Sequence, residues 1–281
     1  MRFGINTFLF TSPFTNKSVN LFPRFKKWGF DSVEIPIEDP ALIDPFFIKD
    51  ELDKYGLVCG AVTPCLGPER DLRGTPRHQK AALEFMRRVI EQMVVLECPI
   101  LSGVVYSAVG RADAVPRKEY RRQWRTVVGN LRHLCADAAT WGRTIAFEPI
   151  NRFETDFLNT CEQGLAMIED VNHSALKLHL DTFHMNIEEK NPAAAILQAG
   201  GLLGHFHACG SDRGTPGNDH IDWKPIAAAL KAIRYNGDVV IESFTTDVKS
   251  IARAASIWRK IEPTRDEIAV KGVKFLRKCL K

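Results

Sequence analysis

Residues 177–209 read KLHLDTFHMNIEEKNPAAAILQAGGLLGHFHAC and contain one complete strand–helix–strand repeat. A short apolar run at 177–181 precedes a helical pattern near 192–199, and a second short run follows at 204–209. Short β-rich runs that alternate with longer amphipathic ones are typical of βα units and a parallel sheet. This segment therefore predicts an α/β fold.

The same alternation continues through all 281 residues and gives eight units. The predicted strands are 2–7, 32–35, 58–63, 100–105, 144–148, 177–181, 204–209 and 239–243. The predicted helices lie near 19–28, 40–55, 76–96, 117–141, 161–171, 192–199, 223–234 and 249–261. Eight such units favour a (β/α)8 TIM barrel that forms a single domain over 1–281, with a helical tail from about 264. A doubly wound open sheet uses the same units, but no GxGxxG or GxxxxGK[ST] motif opens a helix.

Composition and charge exclude several classes of protein. Apolar residues make up 45% and charged residues 26% of the chain, as in a globular protein with a large core. The 38 basic and 34 acidic side chains are interspersed, which argues against a nucleic-acid partner. No apolar stretch approaches the roughly 18 to 20 residues of a membrane span. The seven cysteines lack CxxC spacing, and we expect a cytoplasmic protein.

Each of the last four predicted strands ends in a side chain that can bind a metal ion. The carboxyl ends of barrel strands face one mouth and alternate residues point inward, so these side chains are expected to converge. They are Glu148 in IAFE, Asp181 in LHLD, His207 in HFH and Glu242 in VVIE. The residues just before them are apolar and are expected to face the helices: Phe147, Leu180, Phe206 and Ile241.

Three neighbouring carboxylates without partners would cost several kcal/mol, and a divalent cation would remove that repulsion. Carboxylates with one imidazole suit Mn²⁺ or Mg²⁺, with Co²⁺ also compatible. Salt bridges with barrel lysines or arginines are the alternative. His179 and His205, two residues before ligands, are expected to point inward one layer lower as hydrogen-bonded core histidines rather than as a second metal site.

Five motifs in order resemble the D-tagatose 3-epimerase family, which includes D-psicose (D-allulose) and L-ribulose 3-epimerases and belongs to the xylose-isomerase-like barrels. The motifs are FEPINRFETDFLNT at 147–160, LDTFHMNIEE at 180–189, LLGHFH at 202–207, DRGTPG at 212–217 and VVIESF at 239–244. Weaker likeness includes MRFGINTF at the start and GFDSVEI in the second unit. The resemblance therefore covers nearly the whole chain.

The resemblance implies one divalent cation per subunit, commonly Mn²⁺ or Co²⁺, on the residues matching Glu148, Asp181, His207 and Glu242. It further implies substrate contacts from three residues, Glu154, His184 and Arg213. Cys65 and Tyr106, with Phe8, Leu66 and Val109, are candidates for the far end of the sugar, and a core role is equally open for each. The family also implies a homodimer or homotetramer with a small-molecule ketose as its partner.

The expected reaction is inversion of C3 in a free ketohexose or ketopentose of the D-tagatose, D-psicose, D-fructose or L-ribulose type. A proton next to a carbonyl must be removed and another returned to the opposite face. Glu148 and Glu242 are the expected acid and base, acting through a metal-stabilised cis-enediolate. The alternatives are an aldose–ketose, hydroxypyruvate-type or inosose-type conversion, a non-catalytic sugar-binding barrel, and an endonuclease IV-like barrel, which would need more metal ligands.

Overall fold

The computed structural model describes residues 1–280, in which eight parallel strands form a closed barrel in chain order. The strands are β1 Arg2–Asn6, β2 Ser32–Ile37, β3 Val58–Pro64, β4 Ile100–Gly103, β5 Thr144–Phe147, β6 Leu176–Asp181, β7 Leu203–His207 and β8 Asp238–Ile241. The first strand pairs with the last in parallel, with Gly4 opposite Val240. This pairing leaves no open sheet edge, so the predicted TIM barrel is confirmed and the doubly wound sheet is excluded.

Ten α-helices surround the barrel within residues 1–280. They are α1 Phe22–Trp28, α2 Pro45–Lys54, α3 Pro76–Val95, α4 Arg117–Thr140, α5 Cys161–Val171, α6 Thr182–Glu188, α7 Pro192–Ala199, α8 Trp223–Ala232, α9 Lys249–Ala254 and α10 Arg265–Cys279. Short 3₁₀ helices lie at Thr7–Leu9, Asn16–Leu21, Pro40–Leu42 and Gly200–Leu202. None of the ten α-helices of this described part is both long and apolar enough to cross a membrane.

Helix boundaries follow local capping chemistry. Thr160 accepts a hydrogen bond from the backbone N–H of Gln163 and forms a capping box with it at the start of α5. The α6 helix, which the hydrophobic pattern does not predict, begins at Thr182 and is capped by the side chain of Asp181. The α9 helix ends at Ala254, earlier than the predicted 261, because Ser256 adopts a left-handed φ of 57°.

The predicted alternation at the strand ends is confirmed. Phe147, Leu180, Phe206 and Ile241 are all buried in the main hydrophobic core. The Phe206 ring packs against Tyr235, which follows α8. A Cβ placed on Gly272 of α10 would lie 2.8 Å from Cδ1 of Ile241, so this side chain faces that helix. Their polar sequence neighbours therefore face the barrel interior.

The amino-terminal end of the barrel is sealed by close packing around Asp238. Its Oδ1 accepts a hydrogen bond from Nε of Arg2 at 2.6 Å, and its backbone carbonyl accepts one from the Tyr235 hydroxyl at 2.7 Å. A Cβ on Gly60 would lie 1.9 Å from Asp238 Oδ2, so only glycine fits at this approach. These contacts pack the side chains tightly at this end of the barrel.

Candidate metal centre and active site

A cavity of about 280 Å³ lies at the carboxyl ends of the strands, with Pro64, Gly103 and Glu148 on its wall. The charged and imidazole side chains on its wall are Glu38, Glu148, Glu154, His184, Arg213 and Glu242. Apolar side chains also line it, among them Phe8, Leu66, Val109, Phe244 and Ile251. A small cavity with both kinds of lining suits a small polar molecule with a carbon skeleton.

The four predicted ligands converge beside this cavity. Glu148 and Glu242 directly follow β5 and β8, whereas Asp181 and His207 are the last residues of β6 and β7. One ligand atom each from Glu148, Asp181 and His207 lies within 4.8 Å of the others. Oε2 of Glu242 lies 3.5 Å from Nδ1 of His207. The barrel thus brings together residues that are up to 94 positions apart in the sequence.

Two atoms of this cluster are buried without a hydrogen-bond partner, Oε1 of Glu148 and Nδ1 of His207. Buried polar atoms are normally paired, so an unpaired oxygen and an unpaired ring nitrogen in one acidic cluster point to a missing ligand. Three carboxylates and one imidazole form the hard, oxygen-rich set that binds Mn²⁺, Mg²⁺ or Co²⁺. These residues therefore fit a single divalent cation.

Burial and neighbouring charges move the acidic groups in different directions. Burial raises the pKa of Glu148 well above its usual range, and repulsion from Glu242 raises it further. Burial also raises the pKa of Asp181 to about 6, although Arg213 opposes the change. For Glu242, burial acts in the same direction, but His207 and Arg213 outweigh it and lower the pKa. Glu148 and Glu242 thus differ in their tendency to hold a proton.

Arg213 connects the acidic cluster to the rest of the site. Its Nη1 lies 2.7 Å from Oδ2 of Asp181 and 3.0 Å from Oε2 of Glu242. Its Nη2 lies 2.9 Å from Nε2 of His184. The residue has a left-handed φ of 67° and is almost fully buried. Non-glycine residues rarely adopt a left-handed φ, so the surrounding contacts hold Arg213 in this conformation.

His184 and Glu154 are held by Asn151. The backbone N–H and the Nδ2 of Asn151 each lie 3.0 Å from Nδ1 of His184, and the same Nδ2 donates to Oε1 of Glu154 at 2.7 Å. Arg152 pairs instead with Glu188 at 2.9 Å. Glu154 is therefore not engaged by its neighbour Arg152 and faces the cavity, beside His184.

Of the five candidates for the far end of the sugar, Tyr106 is absent from the cavity wall, which includes Phe8, Cys65, Leu66 and Val109. Tyr106 is fully buried, and its hydroxyl donates to the backbone carbonyl of Glu148 at 2.9 Å. Its ring packs against Phe147 and Phe157. The predicted substrate contact of Tyr106 is corrected: the side chain supports the segment that carries Glu148 from behind.

The sequence did not single out Glu34, which β2 places inside the barrel with no exposed surface. Its Oε2 lies 2.6 Å from Nε2 of His205 and 2.9 Å from Nε2 of His207. The sequence signal for Glu34 is a charged residue within the mostly apolar run SVEIPI. His205 is hydrogen-bonded as expected, whereas neither ring nitrogen of His179 has a hydrogen-bond partner.

Residues 22–279 match the family described as the xylose isomerase-like TIM barrel. Over 282 residues the chain is 35% identical to a probable ketose 3-epimerase of Synechocystis sp., covering 99% of this chain and 96% of that protein. It is 34% identical over 252 residues to an L-ribulose 3-epimerase of Methylomonas sp., covering 89% of this chain and 87% of the relative. A solved D-allulose 3-epimerase from Methylomonas sp. in complex with D-allulose superposes with a TM-score of 0.93 at 30% identity, covering 99% of this chain and 97% of that one.

These matches extend over nearly the whole chain and agree on one reaction class. The predicted family is thereby confirmed, and so is the expectation of an isomerase that acts on carbohydrates. The barrel, the cavity at the strand ends and the acidic cluster beside it are consistent with that class. The chain belongs to the ketose 3-epimerases, enzymes with the xylose isomerase-like TIM barrel.

Proposed function

We propose that the protein inverts C3 of a free ketohexose or ketopentose by proton transfer between two carboxyl groups. The observation that carries this proposal is the placement of Glu148 and Glu242 on one cavity wall, at the ends of β5 and β8. Inversion at a carbon next to a carbonyl needs two acid/base groups that reach it from different sides. The C3–H bond breaks as one carboxylate takes the proton, and the other carboxyl group gives its proton to the opposite face.

Glu148, Asp181, His207 and Glu242 would hold one divalent cation, for which Mn²⁺ is our first choice and Co²⁺ or Mg²⁺ the alternatives. When bound, the cation supplies positive charge beside the substrate oxygens that become more negative during the reaction. The unpaired Glu148 Oε1 and His207 Nδ1 support this assignment. The two glutamates thus bind the ion and also move the proton, whereas Asp181 and His207 bind the ion only.

Polar residues that line the cavity would orient the substrate. We assign His184 and Arg213 to hydrogen bonds with the O1 and O2 end of the ketose, and Glu154 to the same region. Holding the carbon to be deprotonated in place can itself remove several kcal/mol of barrier. Cys65 and the apolar residues that line the cavity would contact the carbons beyond C3.

The cavity favours a free sugar over a sugar phosphate. Arg213 is the one lysine or arginine on the described cavity wall, and Asp181 and Glu242 already balance its positive charge. A phosphate group would need unpaired cationic donors, which arginine and lysine usually supply. Substrates of the D-psicose, D-fructose, D-tagatose and L-ribulose type therefore fit better than their phosphorylated forms.

We also propose a homodimer or homotetramer, as the family resemblance implies, and a cytoplasmic location. All seven cysteines lie within residues 1–280 and are free thiols there, which agrees with a reducing compartment. Sedimentation velocity at several protein concentrations tests the oligomeric state, and a monomer at every concentration would contradict it.

The test of the reaction is incubation of Mn²⁺-loaded protein with D-fructose, D-psicose, D-tagatose and L-ribulose in deuterated water. We expect solvent deuterium at C3 and the C3 epimer as product, followed by NMR. A chelated sample serves as the control and should show neither change. Comparison of kcat/KM among the four sugars then ranks the substrates.

Two results would overturn the proposal. Deuterium at C1 alone would indicate transfer between C1 and C2 and therefore an aldose–ketose isomerase. Absence of exchange with all four sugars, in protein that is shown to contain Mn²⁺, would indicate a different substrate class or reaction.

A further inference from the structure

Glu34 is a fully buried carboxylate whose hydrogen bonds link two histidines to the barrel wall. Its Oε1 accepts hydrogen bonds from Oγ1 of Thr63 at 2.6 Å and from Nδ2 of Asn6 at 3.2 Å. Oγ of Ser102 lies 3.1 Å from the same oxygen. Its Oε2 has only imidazole partners, Nε2 of His205 at 2.6 Å and Nε2 of His207 at 2.9 Å. Both oxygens are thus surrounded by groups that can donate.

The donors and acceptors in the contact between Glu34 and His207 determine which nitrogen of His207 carries the proton. An ionised carboxylate accepts hydrogen bonds and donates none, so Nε2 of His207 must carry the hydrogen between itself and Glu34. In a neutral imidazole the second nitrogen, Nδ1, then has a free lone pair. That atom is buried without a hydrogen-bond partner and lies in the cluster with Glu148 and Asp181.

We propose that Glu34 is a positioning residue that holds His207 with Nε2 protonated and Nδ1 directed at the divalent cation. The proposal rests on the proposed role of His207 as a cation ligand. A carboxylate that accepts the second N–H of a metal-binding histidine fixes both the tautomer and the ring orientation. Asn6 extends the same network, because its Nδ2 also lies 3.2 Å from Oε1 of Glu242.

A different occupant of this region is a second metal ion among His179, His205 and His207, whose ligand atoms also lie within 4.8 Å of one another. The contacts of Glu34 argue against it. The separations of 2.6 and 2.9 Å between Glu34 Oε2 and the two Nε2 atoms are hydrogen-bond distances. A ring nitrogen that donates its hydrogen to Glu34 has no lone pair left for a metal ion.

The tautomer can be measured on the unaltered protein. We would label the eight histidines with ¹⁵N, load the protein with ¹¹³Cd²⁺ as a diamagnetic probe, and record long-range ¹H–¹⁵N correlations. The ring Hδ2 proton couples to Nε2 and so distinguishes the two nitrogens. We expect ¹¹³Cd coupling to the Nδ1 of one histidine, whose Nε2 carries a proton.

Coupling of ¹¹³Cd to an Nε2, to several imidazoles, or to no histidine would overturn the positioning role. The C3 exchange assay with Mn²⁺ reports separately on the proposed reaction. Exchange at C3 together with coupling at Nε2 would leave the reaction standing and remove the role of Glu34. Absence of exchange together with coupling at Nδ1 would remove the proposed reaction and leave the role of Glu34 standing.

A pair of variants gives an independent test. In Glu34→Gln an amide NH₂ group replaces one carboxylate oxygen. Only the other of the two positions can then accept hydrogen bonds. Loss of such a partner typically weakens metal binding by about 10- to 100-fold, and we expect that rise in the Mn²⁺ dissociation constant by electron paramagnetic resonance. Excess Mn²⁺ should then recover most of the C3 exchange.

Ser102→Ala is the matched control, because it removes a neighbour of Glu34 Oε1 and leaves the histidines in place. It should lower thermal stability in EDTA without changing the Mn²⁺ dissociation constant. Equal dissociation constants for Glu34→Gln, Ser102→Ala and the unaltered protein would refute the proposal. If Glu34→Gln does not fold, the cadmium experiment on the unaltered protein decides.

Discussion

The Nη1 atom of Arg213 lies 2.7 Å from Oδ2 of Asp181, and both side chains are almost completely buried. The same nitrogen lies 3.0 Å from Glu242 Oε2, so one guanidinium balances two of the three carboxylates in the proposed metal centre. A divalent cation in the centre would share this task. We therefore expect the stability of the folded chain to depend on the cation when Arg213 is replaced.

Arg213→Met should lower the free energy of unfolding of the cation-free protein by about 3–5 kcal/mol, because it leaves buried carboxylates without their partner. Mn²⁺ should restore part of that loss, since it takes over the compensating charge. Urea denaturation with and without Mn²⁺ measures both effects. Arg87→Met, which removes an exposed ion pair with Asp137, is the control and should cost at most about 1 kcal/mol with no dependence on Mn²⁺. An Arg213→Met loss that Mn²⁺ leaves unchanged would contradict the coupling.

Glu148→Gln and Glu242→Gln should each lower kcat for C3 epimerisation by about 10²- to 10⁴-fold, the usual contribution of a general acid or base. The amide has nearly the same shape but cannot transfer the proton. Exchange of solvent deuterium at C3 is the measurement, at Mn²⁺ concentrations that saturate each variant. Glu189→Gln alters a half-buried glutamate that accepts the Cys161 N–H, and it should keep full activity. Retention of activity in either cavity variant would rule out the two-carboxylate mechanism.

Mn²⁺ affinity should fall as the pH drops through about 6. The pKa of Asp181 is raised to about 6 and that of Glu148 is raised as well, so at lower pH both groups hold protons that the cation must displace. The association constant should then fall about tenfold per pH unit for each displaced proton. Electron paramagnetic resonance titrations of free Mn²⁺ in a series of buffers measure it. A constant affinity across the acidic range would show that binding displaces no proton.

Tyr106→Phe should lower the free energy of unfolding by about 1–3 kcal/mol and leave the KM for the ketose unchanged, because the lost hydrogen bond leaves the buried Glu148 carbonyl unpaired. Tyr120→Phe is the matched control, since its hydroxyl donates to the Phe157 carbonyl at 2.9 Å away from the cavity. Both variants should behave alike in denaturation and in steady-state kinetics. A raised KM in Tyr106→Phe alone would return this residue to the list of substrate contacts.

Gly60→Ala should destabilise the barrel by about 1–3 kcal/mol, the usual cost of overpacking. Its Cβ would lie 1.9 Å from Asp238 Oδ2 and 3.1 Å from Cβ of Ser32. Gly129→Ala in α4 is the opposite case, with no atom within 4 Å of the new methyl group. Helix propensity should make it stabilising by about 0.8–1.0 kcal/mol. Chemical denaturation compares the two, and equal effects would contradict the packing account.

Much of the barrel and most of the metal centre follow from local pattern. The period of two in IAFE and VVIE places Phe147 and Ile241 toward the helices and their acidic neighbours inside. The orientation of each of these strands can be read from its own sequence, because successive side chains point to opposite faces. The cluster of Glu148, Asp181 and His207 could therefore be predicted without knowledge of the contacts between strands.

Local pattern does not predict an element that is too short, or a contact between residues that are far apart in the sequence. The seven residues of α6 span only two turns, too few to show a helical period. Tyr106 follows β4, and only the packing around it shows that its hydroxyl turns toward the Glu148 backbone rather than into the cavity.

The repeated βα units and the kind of side chain at each strand end follow from local sequence, because strand and helix periods are local properties. The contact between Glu34 and His207, which lie 173 positions apart, depends instead on the folded arrangement of the strands. That contact requires closure of the barrel, since β2 and β7 are not neighbours and meet across its interior. The side-by-side order of β6, β7 and β8 places Arg213 between Asp181 and Glu242 and so decides how the charges of the centre are balanced.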